Sequence, residues 1–326
     1  MNVYIRDLAI HIARLGSPVD VYTRRSDPDR PQIQHLAPGV RVINIDAGPL
    51  NAGKYDLLPL CREFAEGIVL FALRDGVRYD VMHAHYWLSG VTAEHLRRFW
   101  EIPFSMMFHT TAHMKNAVLG TGDQEPPERE ATERRLVQSA DSLIAANPDE
   151  RSDLVLRQGA ADDKVCTIPP GVDLSIFHPM DYHYSRRELG WDIRERVVLF
   201  VGRIDPIKGI DTLVGAMPLV KETYLKFVLI GGDLDANGEP IGALAEVRDR
   251  VEAMGMGRRV RFLGAQPQAM LPHYYSASDL VAVPSRYESF GLVAVEAMAT
   301  GTPVVASSVG GLAFTVVDYR NGFLVP

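Results

Sequence analysis

The chain has 326 residues, 47% of them hydrophobic and 23% charged, with a formal net charge of −7. That length and apolar content suit two domains with cores of their own, and the acidic balance argues against a nucleic-acid partner while leaving room for a local basic pocket that takes a small anion. Cys61 and Cys166 match no metal spacing and read as reduced thiols, and with no apolar run of spanning length and no signal pattern the expected setting is the cytoplasm, without a transmembrane segment.

The first segment places Val3, Ile5, Leu8, Ile12 and Leu15 at helical spacing and stops at Gly16, so a helix is expected to open the chain. Strands are expected over Val19 to Tyr22, Val40 to Ile45, Val81 to Ala84, Pro103 to Phe108 and Ser142 to Ala145, alternating with helical stretches and without an internal repeat. Ile168 to Asp173 closes this first domain, and Phe177 to Glu188 reads as a polar linker. The boundary is set near residue 178, giving domains 1–178 and 179–326, and a ligand common to both is expected in the cleft between them.

The second domain opens on a buried strand, Val197 to Val201, followed by Gly202, Arg203 and Lys208 in a loop. Strand Phe227 to Ile230 ends at Gly231 and Gly232, whose missing side chains would open space for a ligand. Strand Leu280 to Val283 then leads through a polar loop carrying Glu288 into a helix over Leu292 to Ala299, a stop at Gly301, and a strand over Pro303 to Ala306. Such a strand–loop–helix–strand unit belongs to a doubly wound sheet, which binds ligands at the carboxyl ends of its strands. Phe290, Gly291 and Leu292 open the helix there, so unpaired N–H groups and the positive dipole end face the loop and favour an anion. Arg203 and Lys208 beside that helix start would make a diphosphate site. Glu288 and Glu296 frame it; Glu296 lies in an apolar run and needs a hydrogen-bond partner. Paired carboxylates could serve as the acid and base of a glycosidase, but beside an anion site they favour hydroxyl recognition, which describes a nucleotide sugar.

In the first domain, His83 and His85 lie at a strand end and are expected to point to opposite faces, with no third ligand for a metal. The next strand delivers His109 and Thr110 to the same edge, with His113 and Lys115 beyond. A lone histidine at a strand end is ordinarily structural.

The stretch E-S-F-G-L-V-A-V-E, with Glu288 and Glu296 separated by seven residues, resembles the two-glutamate signature of retaining GT-B glycosyltransferases, and nearly the whole chain is similar to family 4. That family includes sucrose-phosphate synthases and the inositol-phosphate N-acetylglucosaminyltransferase. The resemblance implies an α/β GT-B fold of two Rossmann-like domains, the first for the acceptor and the second for the donor. It implies contact of Glu288 with the transferred sugar and of Glu296 with the ribose diol. It further implies that Arg203 and Lys208 of G-R-x-x-x-x-K-G bind the diphosphate, with Gly231, Phe290, Gly291 and Leu292 completing the donor site, and that His109 lies beside the donor sugar. Lys54 in K-Y-D-L, Tyr86 in H-Y-W-L-S-G, Thr110, Lys115 and Arg129 resemble acceptor-phosphate ligands.

The implied reaction transfers a hexosyl group from a nucleoside diphosphate sugar, such as UDP-glucose or UDP-N-acetylglucosamine, to a phosphorylated acceptor such as fructose 6-phosphate or inositol phosphate. In the family, retention is explained by front-face attack in which the leaving diphosphate helps remove the acceptor proton; no cofactor and no metal are expected. The family ordinarily has an opening strand and Gly-rich loop ahead of Asn2-Val3-Tyr4 and further helices after Pro326, so both ends are expected to be truncated. The alternative is an inactive nucleotide-sugar-binding fragment. An NAD-dependent enzyme is disfavoured because no G-x-G-x-x-G opens the first helix of either domain.

Overall fold

The structure, a computed structural model, describes residues 2–118, 124–222 and 224–326. The chain forms two compact units, Met1–Ile168 and Pro169–Pro326.

In the first unit the expected helix spans Asn2–Arg14. Strand Val19–Arg24 pairs in parallel with Val40–Ile45, whose other edge takes Ile33–Ala37 antiparallel. A second sheet is parallel throughout, in the order Met82–His85, Phe104–Met107, Ser142–Ala145, Val165–Thr167. Helices return between these strands, and their apolar stripes are buried on the sheet. Trp87, Val91 and Leu96 of helix Trp87–Trp100 join Phe104, Met106, Leu136 and Leu143 in one core that also takes in Ile43 and Ile45. All the parallel strands of the second sheet therefore end on one edge, where Tyr86, Phe108 and the residues after them emerge.

The second unit has six parallel strands in the order Val260–Phe262, Leu225–Ile230, Arg196–Val201, Leu280–Val283, Val304–Ser307, Gly322–Val325. The chain starts in the middle at Arg196–Val201, winds outward one way, then resumes at Leu280–Val283 and winds the other way. Those two strands make the topological switch point, where the loops that follow them diverge and leave a crevice. The strands are apolar on both faces because helices cover both: Val197 and Leu199 join one core with Val281 and Ala297, while Val198 and Phe200 join another with Leu213 and Val251.

The segment from Phe177 to Glu188 is not a polar linker. Phe177 is 1% exposed and sits in the second unit's core with Val197 and Leu199. After it, Asp181 caps helix Tyr182–Glu188 by accepting from the Tyr184 N–H at 2.7 Å. The segment's polarity misleads because Arg186 is buried, at 1% exposure. Its guanidinium donates to the Ala277, Asp192 and Glu195 carbonyls at 2.9, 2.7 and 2.7 Å and to Asp279 at 2.9 Å. A buried arginine is tolerated only when its donors are satisfied in this way. No helix among the described residues is long and apolar enough to cross a membrane.

Replacing Arg186 with Met strands these carbonyls in an apolar setting, so the unfolding free energy should fall by about 3 kcal/mol. Urea denaturation checks this; an unchanged midpoint would show that the buried guanidinium does not hold the segment.

Candidate functional site

At the switch point of the second unit, two loops come into backbone contact. The chain leaves strand Arg196–Val201 through Gly202, Arg203 and Ile204 into a short turn, Pro206–Lys208, capped by the Asp205 side chain accepting from the Ile207 N–H at 3.1 Å. Gly209 follows at φ 66°, and a Cβ there would lie 1.8 Å from the Pro284 carbonyl oxygen, so only glycine lets the two loops approach. Arg286 N–H donates to the Ile207 carbonyl at 2.8 Å and locks the pair. Lys208 then reaches across to Glu288, Nζ to Oε2 2.5 Å, with both side chains partly exposed.

Glu288 is steadied from behind, where its carbonyl accepts from the Gly311 N–H at 2.8 Å, and Ser285 Oγ lies 3.4 Å from its Oε2. Phe290 leads to Gly291, which caps helix Leu292–Ala299 in the left-handed region at φ 88°. The first turn of that helix points its N–H groups back toward the loop. Glu296 has the partner its apolar surroundings demand: Tyr275 OH donates to Oε2 at 2.7 Å. Tyr275 is fully buried, and burial together with Glu296 pushes its hydroxyl well above the ordinary range, so it stays a donor. Tyr275 carries no sequence signal, since in helix Leu271–Ser276 it is one apolar-facing aromatic among others.

Two expected donor residues, Arg203 and Gly231, have unlike surroundings. The Arg203 side chain is 78% exposed, and its ion pair with Asp205 is long, at 3.5 Å. Gly231 does not open space where its side chain would be. A Cβ there would lie 1.8 Å from the Gly202 carbonyl, so the glycine serves strand-end packing.

At the strand ends of the first unit, Tyr86 and His109 both hold positive φ, 74° and 63°, which bulky residues adopt only when their surroundings impose it. Tyr86 N–H donates to the Met107 carbonyl at 2.9 Å, which ties the two ends together. His83 and His85 do not point to opposite faces: alternate residues of a strand share a face, and their rings stand edge to face with centroids 4.2 Å apart. His85 Nδ1 is 3.0 Å from His109 Nε2, His83 Nδ1 is 2.5 Å from Ser105 Oγ, and Tyr4 packs edge-on against His85 and His109. Burial depresses His83 and His109 to about 4 and His85 to about 2, so this row is neutral at pH 7. Among the described residues no group of His, Cys, Asp or Glu is placed to hold a metal ion.

The remaining expected residues converge. Arg129, buried on helix Pro127–Ser139, donates to the Thr110 carbonyl at 2.6 Å and to Glu133 at 2.7 Å, and lies 4.8 Å from the centroid of the Tyr86 ring. Lys54 and Lys115 meet it around one residue missed in the sequence, Glu125: Oε1 accepts from Lys54 Nζ at 2.7 Å and Lys115 Nζ at 2.8 Å, and Oε2 lies 3.1 Å from Arg129 Nη1. Burial works to raise the Glu125 pKa, and the Lys115, Lys54 and Arg129 cations outweigh it, bringing it to about 2. Burial pushes Glu133 upward against the pull of Arg129 and the Ala112 N–H. His113 stands apart from this group, with Nε2 2.8 Å from Arg157 Nη1.

Comparison with known proteins identifies the family and the fold. Residues 1–171 match the family model for the glycosyl transferase 4-like domain, and residues 182–326 the model for glycosyl transferases group 1. A D-inositol 3-phosphate glycosyltransferase of Corynebacterium diphtheriae is 42% identical over 337 residues, which cover 100% of this chain and 77% of that protein. A sucrose-phosphate synthase from Thermosynechococcus elongatus superposes with a TM-score of 0.89 at 35% identity, covering 100% of this chain and 80% of that one. HepE from Anabaena, solved in complex with UDP, gives a TM-score of 0.66 at 25% identity over 88% of this chain and 72% of that one.

The histidine row makes stability depend on pH. Each ring has a folded pKa below its ordinary 6.5, so it binds fewer protons when folded. Its contribution is intact above pH 6.5 and is lost as the pH falls towards 4, by roughly 1.4 kcal/mol per pH unit for each ring. The His83→Gln variant should therefore lose about a third of the wild-type dependence on pH that these rings produce between 6.5 and 5. Unfolding free energies measured at several pH values in that window check this, and an unaltered slope would refute it.

Proposed function

We propose that this chain, which belongs to the group 1 glycosyl transferases with a 4-like first domain and adopts the GT-B fold, moves a hexosyl group from a UDP-sugar to a phosphorylated sugar or polyol with retained anomeric configuration. The observation that carries this reading is the gathering of Lys54, Lys115 and Arg129, from three separate stretches, around one buried anionic group. Cations in such a cluster, with Tyr86 and Thr110 contributing beside Arg129, would suit a phosphate dianion, and arginine can take it in bidentate fashion. The names of the relatives, an inositol 3-phosphate glycosyltransferase and a sucrose-phosphate synthase, lend support to an acceptor of that class.

In the second unit, Lys208, Arg203 and the start of helix Leu292–Ala299 would hold the donor diphosphate. Gly231 lies at the neighbouring strand end, and Phe290, Gly291 and Leu292 present the backbone. Glu288 would orient the transferred sugar and Glu296 the ribose diol. HepE, solved with UDP, favours uridine as the base. As the glycosidic bond breaks, negative charge grows on the diphosphate, and cations and backbone dipoles at this edge would stabilise it. The leaving diphosphate then removes the acceptor proton on the face it leaves, so no protein nucleophile is needed. His109 would stand beside the donor sugar as a neutral ring.

The acceptor is tested by comparing inositol phosphate and fructose 6-phosphate with their dephosphorylated forms. With three cations engaged, kcat/KM should favour a phosphorylated form by about 10²-fold or more. Equal values would refute the reading.

On the donor side, Lys208→Ala and Arg203→Ala should each cost about 10²-fold in turnover. Glu296→Ala should weaken UDP binding in calorimetry, whereas Glu288→Ala should chiefly lower kcat. Equal loss of UDP affinity in both glutamate variants would overturn the division of roles.

A further inference from the structure

The cationic cluster of the first unit already holds an anion. Glu125 is 4% exposed, and both lysine ammonium groups converge on its Oε1. Its Oε2 is buried and makes no hydrogen bond among the described residues, although Arg129 Nη1 is 3.1 Å away. We propose that Glu125 is an internal stand-in for the acceptor phosphate, displaced only by a dianion, so that it sets the selectivity of the enzyme for phosphorylated over neutral acceptors. The inference rests on the phosphorylated-acceptor reading above.

Charge counting supports displacement. Lys54, Lys115 and Arg129 bring three positive charges to Glu125, and Arg129 also meets Glu133, so among these five residues cations outnumber carboxylates by three to two. A phosphate dianion in place of the Glu125 carboxylate brings one more negative charge to these cations. A neutral polyol cannot do this. Moving Glu125 aside for an uncharged group would leave the buried Arg129 facing two lysine ammonium groups without the carboxylate between them.

Geometry points the same way. A carboxylate has two oxygens, and here one takes both ammonium groups while the other faces Arg129 at 3.1 Å with no well-aligned hydrogen bond among the described residues. A phosphate offers three terminal oxygens for the same donors. The surroundings of Glu125 also separate what is fixed from what can turn. Its backbone is clamped by Asn116, which accepts from its N–H at 2.7 Å and donates to its carbonyl at 3.3 Å. Arg129 is held independently by Glu133, the Thr110 carbonyl and the Tyr86 ring. Rotation of the Glu125 side chain alone therefore vacates the site and leaves the principal cation in place.

The test uses the full chain and three proteins, the wild type, Glu125→Ala and Glu125→Asp, with inorganic phosphate as the calorimetric probe and formate as a small replacement carboxylate. Displacement predicts that Glu125→Ala binds phosphate about 10-fold more tightly than wild type. It also predicts that formate inhibits this variant competitively against the phosphorylated acceptor, because both seek one position. Glu125→Asp keeps the charge and the fold but draws the carboxylate back by one methylene, so it too should gain phosphate affinity. A purely structural counter-ion predicts otherwise: formate would inhibit without competing, and Glu125→Asp would bind phosphate no better than wild type. Either result overturns the proposal. If wild type prefers the phosphorylated acceptor but neither variant gains affinity, this inference fails and the acceptor reading stands. If wild type shows no preference, the acceptor reading fails and the inference with it.

Discussion

The second unit depends on close approach of backbone to backbone at the carboxyl ends of its two central strands. A sheet whose strand order reverses between Arg196–Val201 and Leu280–Val283 sends successive loops in opposite directions. Gly209 lies under the Pro284 carbonyl and Ile207 accepts from Arg286, which holds them together. With that contact made, Lys208 and Glu288, which are 80 positions apart, become neighbours. The packing of Gly231 on Gly202 performs a similar service one strand over. Glycines at these strand ends act here as spacers between main chains, and the charged residues they carry are positioned as a consequence.

The first unit meets a different constraint, the cost of burying charge and strain. Tyr86 and His109 hold left-handed backbone at the ends of paired strands, and Arg129 is buried under Tyr86. Each costs free energy unless its surroundings over-determine it. Here Met107 binds the Tyr86 N–H, and Thr110, directly after His109, gives its carbonyl to Arg129. The strained turn and the buried cation thus satisfy each other's backbone and side-chain demands, and the cluster around Glu125 is assembled on that joint.

Most of the fold was legible because buried parallel strands are short, apolar and bounded by turn residues. The runs Val40–Ile45, Ser142–Ala145 and Leu280–Val283 have the bounds their composition suggests. Strands Ile33–Ala37, Val165–Thr167 and Val260–Phe262 went unread. Each is short, lies at the edge of its sheet and carries polar residues such as His35, Thr167 and Arg261, so its pattern does not differ from a loop. Phe177 to Glu188 failed for the opposite reason: charge implied solvent, whereas Arg186 is satisfied by nearby carbonyls together with Ala277 and Asp279, far along the chain. In the site, residues that follow strand ends could be found by position. Their partners could not, because Glu125 looks like any other acid in Q-E-P-P-E-R-E and Tyr275 like any core aromatic. What makes both distinctive is which distant residue they touch.

The two glutamates of the second unit show how a common residue type is given unlike properties. Glu288 is balanced by Lys208, a cation at the same loop edge, so its surroundings depend on what that lysine pairs with. Glu296 instead takes a hydrogen bond from Tyr275, which is wholly buried in the core and has no freedom to follow a ligand. One carboxylate is therefore coupled to the charge state of the loop edge, while the other keeps a fixed orientation. The first kind of support suits a group whose charge environment changes, and the second a group that must keep one geometry.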